Sequence, residues 1–367
     1  MTSVVRFQIS YYINKNSEHC SLFLVYMTQI LKKSFIVTLL LICSACNDNT
    51  NNLNKVTYSG PIMGTQYRII VRLKDDELIE ADNIEKELID AMQSVNNSMS
   101  TYIPESELNK LNNASTGKPI ELSSQLHDVI QESQAISKLS EGAFDITLGK
   151  VVNLWGFGKN GKINKAPTEQ VLTQMIQSVG YQKIELRDSK LTKTVANISL
   201  DLSAIAKGYA VDKVAERLDD LGIENYLIDI GGELKASGFA QFEQVWKVGI
   251  EKPHALGGIQ QIIALHDKSI ATSGDYRNFH VIEGTQYSHT IDVKTLKPVF
   301  HRLALVSVID ERASRADALA TAVMALGDER GWNFAQKHDL TVYMVVREEG
   351  ENNYRVQMTE SFKEYLQ

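Results

Sequence analysis

The three cysteines of the chain, Cys20, Cys43 and Cys46, all fall within its first 46 residues. Everything downstream must fold without a disulfide, an iron–sulfur cluster or a cysteine-ligated zinc, and so depends on burial alone. The material is sufficient: 367 residues, 43% of them hydrophobic, allow one large domain or two smaller ones meeting at a cleft. The formal net charge is −7 and no Lys/Arg run exceeds two residues. That leaves no cationic track for a phosphate polymer and argues against nucleic-acid binding.

From Met27 the chain runs MTQILKK and then SFIVTLLLICSAC. A basic start, a short apolar run and small residues have the proportions of a secretory signal, and the run is too short for a permanent span, which needs about 20 apolar residues. Cys43-Ser44-Ala45 ahead of Cys46 is close to a bacterial lipobox, so Cys46 is the expected lipidation site; Cys43 is a departure, because an aliphatic residue is usual there. Cleavage after Ala45 without lipidation is the plainer alternative. The expected organisation is an upstream extension over 1–26, a signal peptide over 27–45, a lipidated cysteine with an Asn-rich tether over 46–55, and a folded domain over 56–367. The expected location is the periplasmic side of the inner membrane, held by lipid.

In the body, Tyr67, Ile69, Val71 and Leu73 alternate as on a half-buried strand. Ile84, Leu88, Met92 and Val95 form a helical stripe, and Leu126, Val129, Ile130, Ser133 and Ile136 form another behind a cap at Ser123 or Ser124. A helix over about 204–221 stops at Gly222 and leads into a strand over 226–230. Short strands dominate to about residue 309; helices over 314–326 and 329–337 and a strand over 341–346 close the chain. Regular one-to-one alternation of strand and helix is missing, so a mixed α+β fold with largely antiparallel sheets is expected rather than a doubly wound parallel sheet.

Four groups of residues could carry chemistry. Asp317 and Thr321 are four apart in SRADALATAVMALG, so on a helix they share a face and offer a hard cation two oxygens. Ser314 with Asp317 also satisfies a capping box, Thr321 could bond back to a carbonyl, and spacing alone favours these structural readings. In LDLSAIAKGYAVD, Asp201 ends an apolar run, Ser203 could cap a helix, and Lys207 lies one turn in, where an anion is favoured; a solvated lysine is the ordinary alternative. Gly231-Gly232-Glu233 and Thr272-Ser273-Gly274-Asp275 are turns that allow close backbone approach, and neither forms a Rossmann or Walker loop. No His-x-His or His-x-x-x-His pair occurs among the eight histidines; His289, just ahead of Ile291 and Asp292 in a short strand-like segment, could act as a general base, and a surface histidine on a hairpin is the ordinary alternative.

Taken together, these stretches resemble the ApbE family of FAD:protein FMN transferases. The resemblance rests on Met63-Gly64-Thr65, STYIPESELNKLN, GAFDITLGKVVNLWGFG, LDLSAIAKGYAVD, YLIDIGGELKASG, ATSGDYRN, YSHTID and ADALATAVMALG, in family order. It implies a two-lobed, T-fold-like α+β domain with FAD in the cleft and a Mg²⁺ ion on the pyrophosphate. Carried over, the metal would be held by Asp317, Thr321 and the Ala204 carbonyl, with Ala320 adjoining. Met63, Tyr102, Ala143, Phe144, Asp145, Asp201, Lys207 and Ile291 would line the FAD site, with Tyr102 as a stacking face. Lys207 would offset phosphate charge and His289 would deprotonate the incoming hydroxyl.

The implied reaction attaches FMN through a phosphoester to a Thr or Ser of a partner and releases AMP. Implied acceptors are flavoprotein subunits of membrane electron-transfer complexes, of the Na⁺-translocating NADH:quinone reductase or Rnf type. An FAD pyrophosphatase using water, or a non-catalytic FAD carrier, are the alternatives; a bulky Tyr102 that excludes water would favour transfer. The chain departs from the family pattern at Ile146, at Ser203, and after Asp292, where Val293 and Leu296 stand in place of a usual proline and glycine. That puts the geometry of the turn after Asp292 in question.

Overall fold

The computed structural model describes residues 53–241, 243–253, 257–276, 278–350 and 353–367. The expected signal peptide and Cys46 lie outside them. The first described strand starts at Asn54.

Seventeen strands, in chain order, are β1 (Asn54–Ile62), β2 (Thr65–Leu73), β3 (Ile120–Glu121), β4 (Ile184–Arg187), β5 (Lys190–Lys193), β6 (Tyr226–Ile230), β7 (Glu233–Ser237), β8 (Trp246–Glu251), β9 (Ile259–Leu265), β10 (Lys268–Gly274), β11 (Phe279–Ile282), β12 (Thr285–Ser288), β13 (Ile291–Asp292), β14 (Lys297–Pro298), β15 (Leu303–Asp310), β16 (Thr341–Arg347) and β17 (Tyr354–Met358). The α-helices are α1 (Ala81–Met99), α2 (Glu107–Asn113), α3 (Ser124–Leu139), α4 (Gly149–Leu154), α5 (Glu169–Met175), α6 (Ala206–Asp220), α7 (Ala313–Lys337) and α8 (Glu360–Lys363).

Eight strands form the main sheet in the order β1-β2-β6-β7-β10-β15-β16-β17. Each neighbouring pair in it is antiparallel, which bears out the α+β expectation. Side-chain alternation divides the core between the two faces. Ile69, Val71, Val306, Val308, Val342 and Met344 pack with α1, α3, α6 and α7. Ile70, Leu305, Ile309, Tyr343 and Val345 instead meet the β8–β9 ribbon and Phe362. β15 is thus covered on both faces, which explains why Leu303 to Ile309 are all buried, Ser307 among them. A third, smaller cluster, from Leu148 and Trp155 to Ile291 and Leu296, lies outside these two layers.

The helix ends follow local chemistry. Ser123 caps α3 by accepting the Leu126 N–H at 3.3 Å. Gly222, at φ 74°, closes α6, with the Ile223 N–H returning to the Leu218 carbonyl at 2.9 Å. The two helices read at 314–326 and 329–337 are one run broken at Gly327, which sits at φ 81° and ψ −170°. His301 Nε2 donates to the Met324 carbonyl at 2.7 Å, next to that break.

The starts of α6 and α7 are satisfied across the helix pair rather than locally. Asp212 of α6 accepts the Ala313 and Ser314 N–H groups of α7 at 2.8 and 2.9 Å. Asp317 of α7 accepts the Gly208 N–H of α6 at 3.2 Å. This corrects two sequence expectations: Ser203 does not cap α6, and Ser314 with Asp317 does not form a capping box. The N–H groups that a Ser203 cap would take, those of Ile205 and Ala206, go to the Leu202 carbonyl at 3.1 and 2.8 Å, and the Ser314 N–H is already held by Asp212.

The exchange needs close approach at Gly208, where a Cβ would stand 2.3 Å from the Ala313 carbonyl oxygen. Gly208→Ala should therefore push the helices apart and cost about 1 to 3 kcal/mol, read as a lowered denaturant midpoint. An unchanged midpoint would show that the pair has slack.

Candidate functional site

Two hairpin tips meet at one end of the main sheet. β1 turns into β2 through Met63 and Gly64, at φ 49° and 74°, and β6 turns into β7 through Gly231 and Gly232, at φ 67° and 101°. The Gly231 N–H donates to the Gln66 carbonyl at 3.0 Å. A Cβ on Gly231 would lie 2.8 Å from Thr65 Cγ2, so both the turn and the contact call for glycine.

The second turn delivers Glu233, 3% exposed, to Lys207 Nζ at 2.6 Å. Asp317 stands 3.9 Å from the same ammonium. Lys207 is therefore not the solvated lysine of the ordinary alternative. Burial disfavours its charge, but Asp317 and Glu233 outweigh that and hold its pKa above the usual lysine value. Burial pushes Glu233 up to about 8, with Lys207 opposing and Asp317 adding to the rise. Asp317 is raised by burial as well, against the pull of Lys207. One Glu233 oxygen, Oε2, is buried without a hydrogen-bond partner. With two carboxylates to one ammonium the cluster has room for a further cation, and the lysine together with that cation can face an anionic group.

The oxygens around Asp317 suit a hard cation. Thr321, one turn on, is half-buried, and among the described residues no hydrogen bond ties up its hydroxyl. Ser133 and Ser137 differ, returning theirs to carbonyls at 2.7 and 2.8 Å. The Gly208 N–H, four residues past Ala204, is given to Asp317, so it does not close the Ala204 carbonyl into the helix. Ala320 is buried and its methyl carries no donor atom, which leaves it only a backbone part. Among the described residues no three His, Cys, Asp or Glu side chains cluster as a metal site. Any ion here would rest on one carboxylate plus neutral oxygens and would take the remaining ligands from phosphate and water.

His289, between β12 and β13, holds Nδ1 3.1 Å from the Asn278 carbonyl. A carbonyl can only accept, so Nδ1 carries the hydrogen and Nε2 keeps the lone pair. Burial lowers its pKa and the Lys207 cation adds to the fall, while Asn278 and Asp275 oppose it. Asp275 is itself fixed by two bonds from Arg347, at 2.7 and 2.5 Å. The ring is thus a neutral base, within electrostatic reach of Lys207.

The remaining expected residues divide into two groups. Asp145 accepts from the Thr147 N–H at 2.8 Å, the Thr147 hydroxyl at 2.6 Å and the Tyr181 N–H at 2.7 Å, so its carboxylate holds the surrounding loops together. Asp201 accepts the Ser203 N–H at 2.8 Å and fixes the turn ahead of Lys207. Ala143 and Asp145 line a cavity of about 490 Å³, together with Asp292, Leu326 and Arg330. Phe144 and Ile291, by contrast, bury their side chains in the apolar clusters, which leaves only backbone for a ligand. Tyr102 is 66% exposed, which suits a stacking face and gives no support to the expectation that it excludes water.

Two contributors were not legible as site residues in the sequence. Glu233 was visible only as a turn residue. Asn109, buried in α2, shapes the Tyr102 loop by donating to the Thr101 and Ile103 carbonyls at 3.0 and 2.7 Å; nothing in the sequence singled it out within STYIPESELNKLN. Leu296 answers the question raised by the lost glycine. It takes φ 56° despite its Cβ and is fully buried, while Asp292 Oδ1 accepts the Lys294 N–H at 2.7 Å, so the turn survives.

An antiparallel sheet backed by helices, with a buried Lys–carboxylate cluster at its hairpin end and a neutral histidine beside it, defines an α+β protein built to handle an anionic substrate. The chain belongs to the ApbE family, whose model matches residues 63–344. It is 37% identical over 313 residues to the FAD:protein FMN transferase of Vibrio cholerae, covering 85% of this chain and 93% of that one. It is 36% identical over 346 residues to the Haemophilus influenzae protein of the same name, covering 92% and 98%. Among solved structures, the flavin transferase ApbE from Vibrio cholerae aligns with a TM-score of 0.79 at 36% identity, over 86% of this chain and all of that one. The apo form of the Pseudomonas stutzeri flavinyl transferase ApbE aligns with a TM-score of 0.78 at 32% identity, over 86% and 97%.

Glu233→Leu removes the 2.6 Å partner of a partly buried lysine that keeps Asp317 beside it, and should destabilise the fold by about 1 to 2 kcal/mol, measured by urea unfolding. A neutral result would mean that Asp317 alone compensates the ammonium.

Proposed function

We propose that this protein is an FAD:protein FMN transferase that uses Mg²⁺, with FAD as substrate and a Thr or Ser hydroxyl of another protein as acceptor. The observation that carries the reading is the meeting of Lys207, Glu233 and Asp317 beside a histidine whose free nitrogen is basic. Family membership and relatives bearing that enzyme name support the same reading.

The residues take distinct parts. Lys207 places a fixed positive charge for the pyrophosphate, and its carboxylate partners keep it protonated at all working pH values. Asp317, Thr321 and the Ala204 carbonyl would hold Mg²⁺, which when bound neutralises phosphate charge. The acceptor hydroxyl loses its proton to His289 Nε2 while its oxygen attacks the phosphorus on the FMN side. The bond from that phosphorus to the bridging oxygen breaks, and AMP departs with the oxygen. Positioning and charge neutralisation account for most of the rate, since no covalent enzyme intermediate is required. Tyr102, exposed above a loop that Asn109 fixes, is available to stack on a ring system.

The signal-like segment and Cys46 support export and lipid attachment at the periplasmic face of the inner membrane. The acceptors would then be flavoprotein subunits of membrane electron-transfer complexes exposed on that side.

The test is incubation of the protein with FAD, Mg²⁺ and an acceptor subunit, followed by intact-mass analysis of the acceptor. A gain matching FMN is expected, and free FMN with unmodified acceptor would indicate hydrolysis instead. Asp317→Ala should lower Mg²⁺-dependent turnover at least about 100-fold; full activity in that variant would remove the metal assignment.

The histidine sets a pH signature. Its charged form is disfavoured, so stronger acid than usual is needed to protonate Nε2 and disable the base. Transfer should therefore persist as pH falls through about 6.5, the ordinary histidine value, and be lost only below it. In His289→Ala the rate should be low and this acid limb absent; a limb that survives the substitution would assign it to another group.

A further inference from the structure

A second pocket, of about 400 Å³, has a character of its own. Its wall carries three lysines, Lys150, Lys159 and Lys193, with hydroxyls and amides that include Ser115, Thr116 and Ser199, and it contains no aspartate or glutamate. In a chain of net charge −7 such a lining is against the prevailing sign. None of these residues is among those proposed to bind FAD or metal.

Lys193 is the unusual member. It is 3% exposed, and no carboxylate pairs with it among the described residues. Its ammonium donates to the Leu111 and Asn112 carbonyls, at 3.0 and 2.8 Å, near the end of α2. Those two bonds seat the side chain, yet an ammonium has three donors, and the third is left for the pocket. Dipoles alone compensate a buried charge poorly, which makes an unpaired cation costly. Burial lowers the pKa of Lys193, and the cation of Lys150 lowers it further, so two positive charges sense each other across this wall. Lys150 donates to the Asn197 side-chain oxygen at 3.1 Å, which aims it without neutralising it. Lys159 is exposed and stands at the rim.

The scaffold is firm. Asn112 grips Leu200 from both sides, donating to its carbonyl at 2.9 Å and accepting its N–H at 2.7 Å. Asn153 is anchored through the Gly149 carbonyl at 2.9 Å. We propose that this pocket is a binding site for a phosphate-type oxyanion, either free or carried as the monoester of a small organic molecule. Lys193 forms its floor, Lys150 its side and Lys159 its rim. Charge-assisted bonds from three ammonium groups match the several oxygens of such a group, and a bound anion supplies the counter-charge that the fold leaves out. The volume leaves room for an organic substituent. The inference does not depend on the transferase reading.

The test is calorimetric titration of the full chain at neutral pH with inorganic phosphate and, separately, with glycerol phosphate. Saturable binding is expected, weakened at least about tenfold in a Lys150→Ala/Lys159→Ala double variant. Those two side chains are partly or fully exposed, so the double variant should keep its unfolding midpoint. Tighter binding of glycerol phosphate would identify an ester as the ligand, and equal or tighter binding of phosphate would identify the free ion. Lys193→Met should abolish binding if it still folds. No binding of either probe to the native chain would overturn the proposal. So would full affinity in the double variant, or affinity lost only in Lys207→Met, since the anion would then sit at the flavin site.

Discussion

The exchange of carboxylates between α6 and α7 is the constraint on which the site depends. Asp212 satisfies the start of α7, and Asp317 satisfies the start of α6. Each helix thus begins only where the other permits, and the absence of a side chain at Gly208 lets them come close enough to do so. A cap of this kind is worth about 1 kcal/mol. Its larger consequence is geometric: Lys207, Gly208 and Asp317 are held in one fixed arrangement by two rigid elements rather than by loops.

Onto that frame the sheet brings its own charge. The β6–β7 turn places Glu233 against Lys207, and burial makes both carboxylates reluctant to ionise except in the presence of that ammonium. Such a cluster is a poor device for stability, because desolvation offsets most of the attraction. It makes better sense as preorganised electrostatics for phosphate chemistry, in which the enzyme holds charges in place before the substrate arrives. His289 completes it from a separate hairpin, with its tautomer set by one backbone carbonyl.

The legibility of these parts differed for physical reasons. Helices α1 and α3 and strands β2, β6 and β16 could be read because each buries one face or is wholly buried, leaving a period in the sequence. The break between the two halves of α7 was readable at Gly327. β1 was not read as a strand, although Val56, Tyr58 and Ile62 face inward in alternation, because Gly60 and Pro61 near its end are poor strand residues; at the sheet edge they are tolerated. Among site residues, Asp317 and Lys207 carry charges that suggest chemistry on sight, whereas Asn109, though in a recognisable stretch, is a neutral residue with no such mark. Its three-carbonyl environment exists only once the Ser100–Ile103 loop folds over it.

By itself the sequence determined the fold class, the family, and the residue types that could meet a pyrophosphate, because periodicity and motif order are local properties of the chain. Which carboxylate caps which helix, that Glu233 belongs to the lysine, that Leu296 can stand in a turn where glycine is usual, and that Lys193 is buried with no carboxylate partner among the described residues were decided by the tertiary structure. Each of these is set by neighbours from distant parts of the chain, and burial energies and helix-end hydrogen bonds are fixed only when those neighbours arrive.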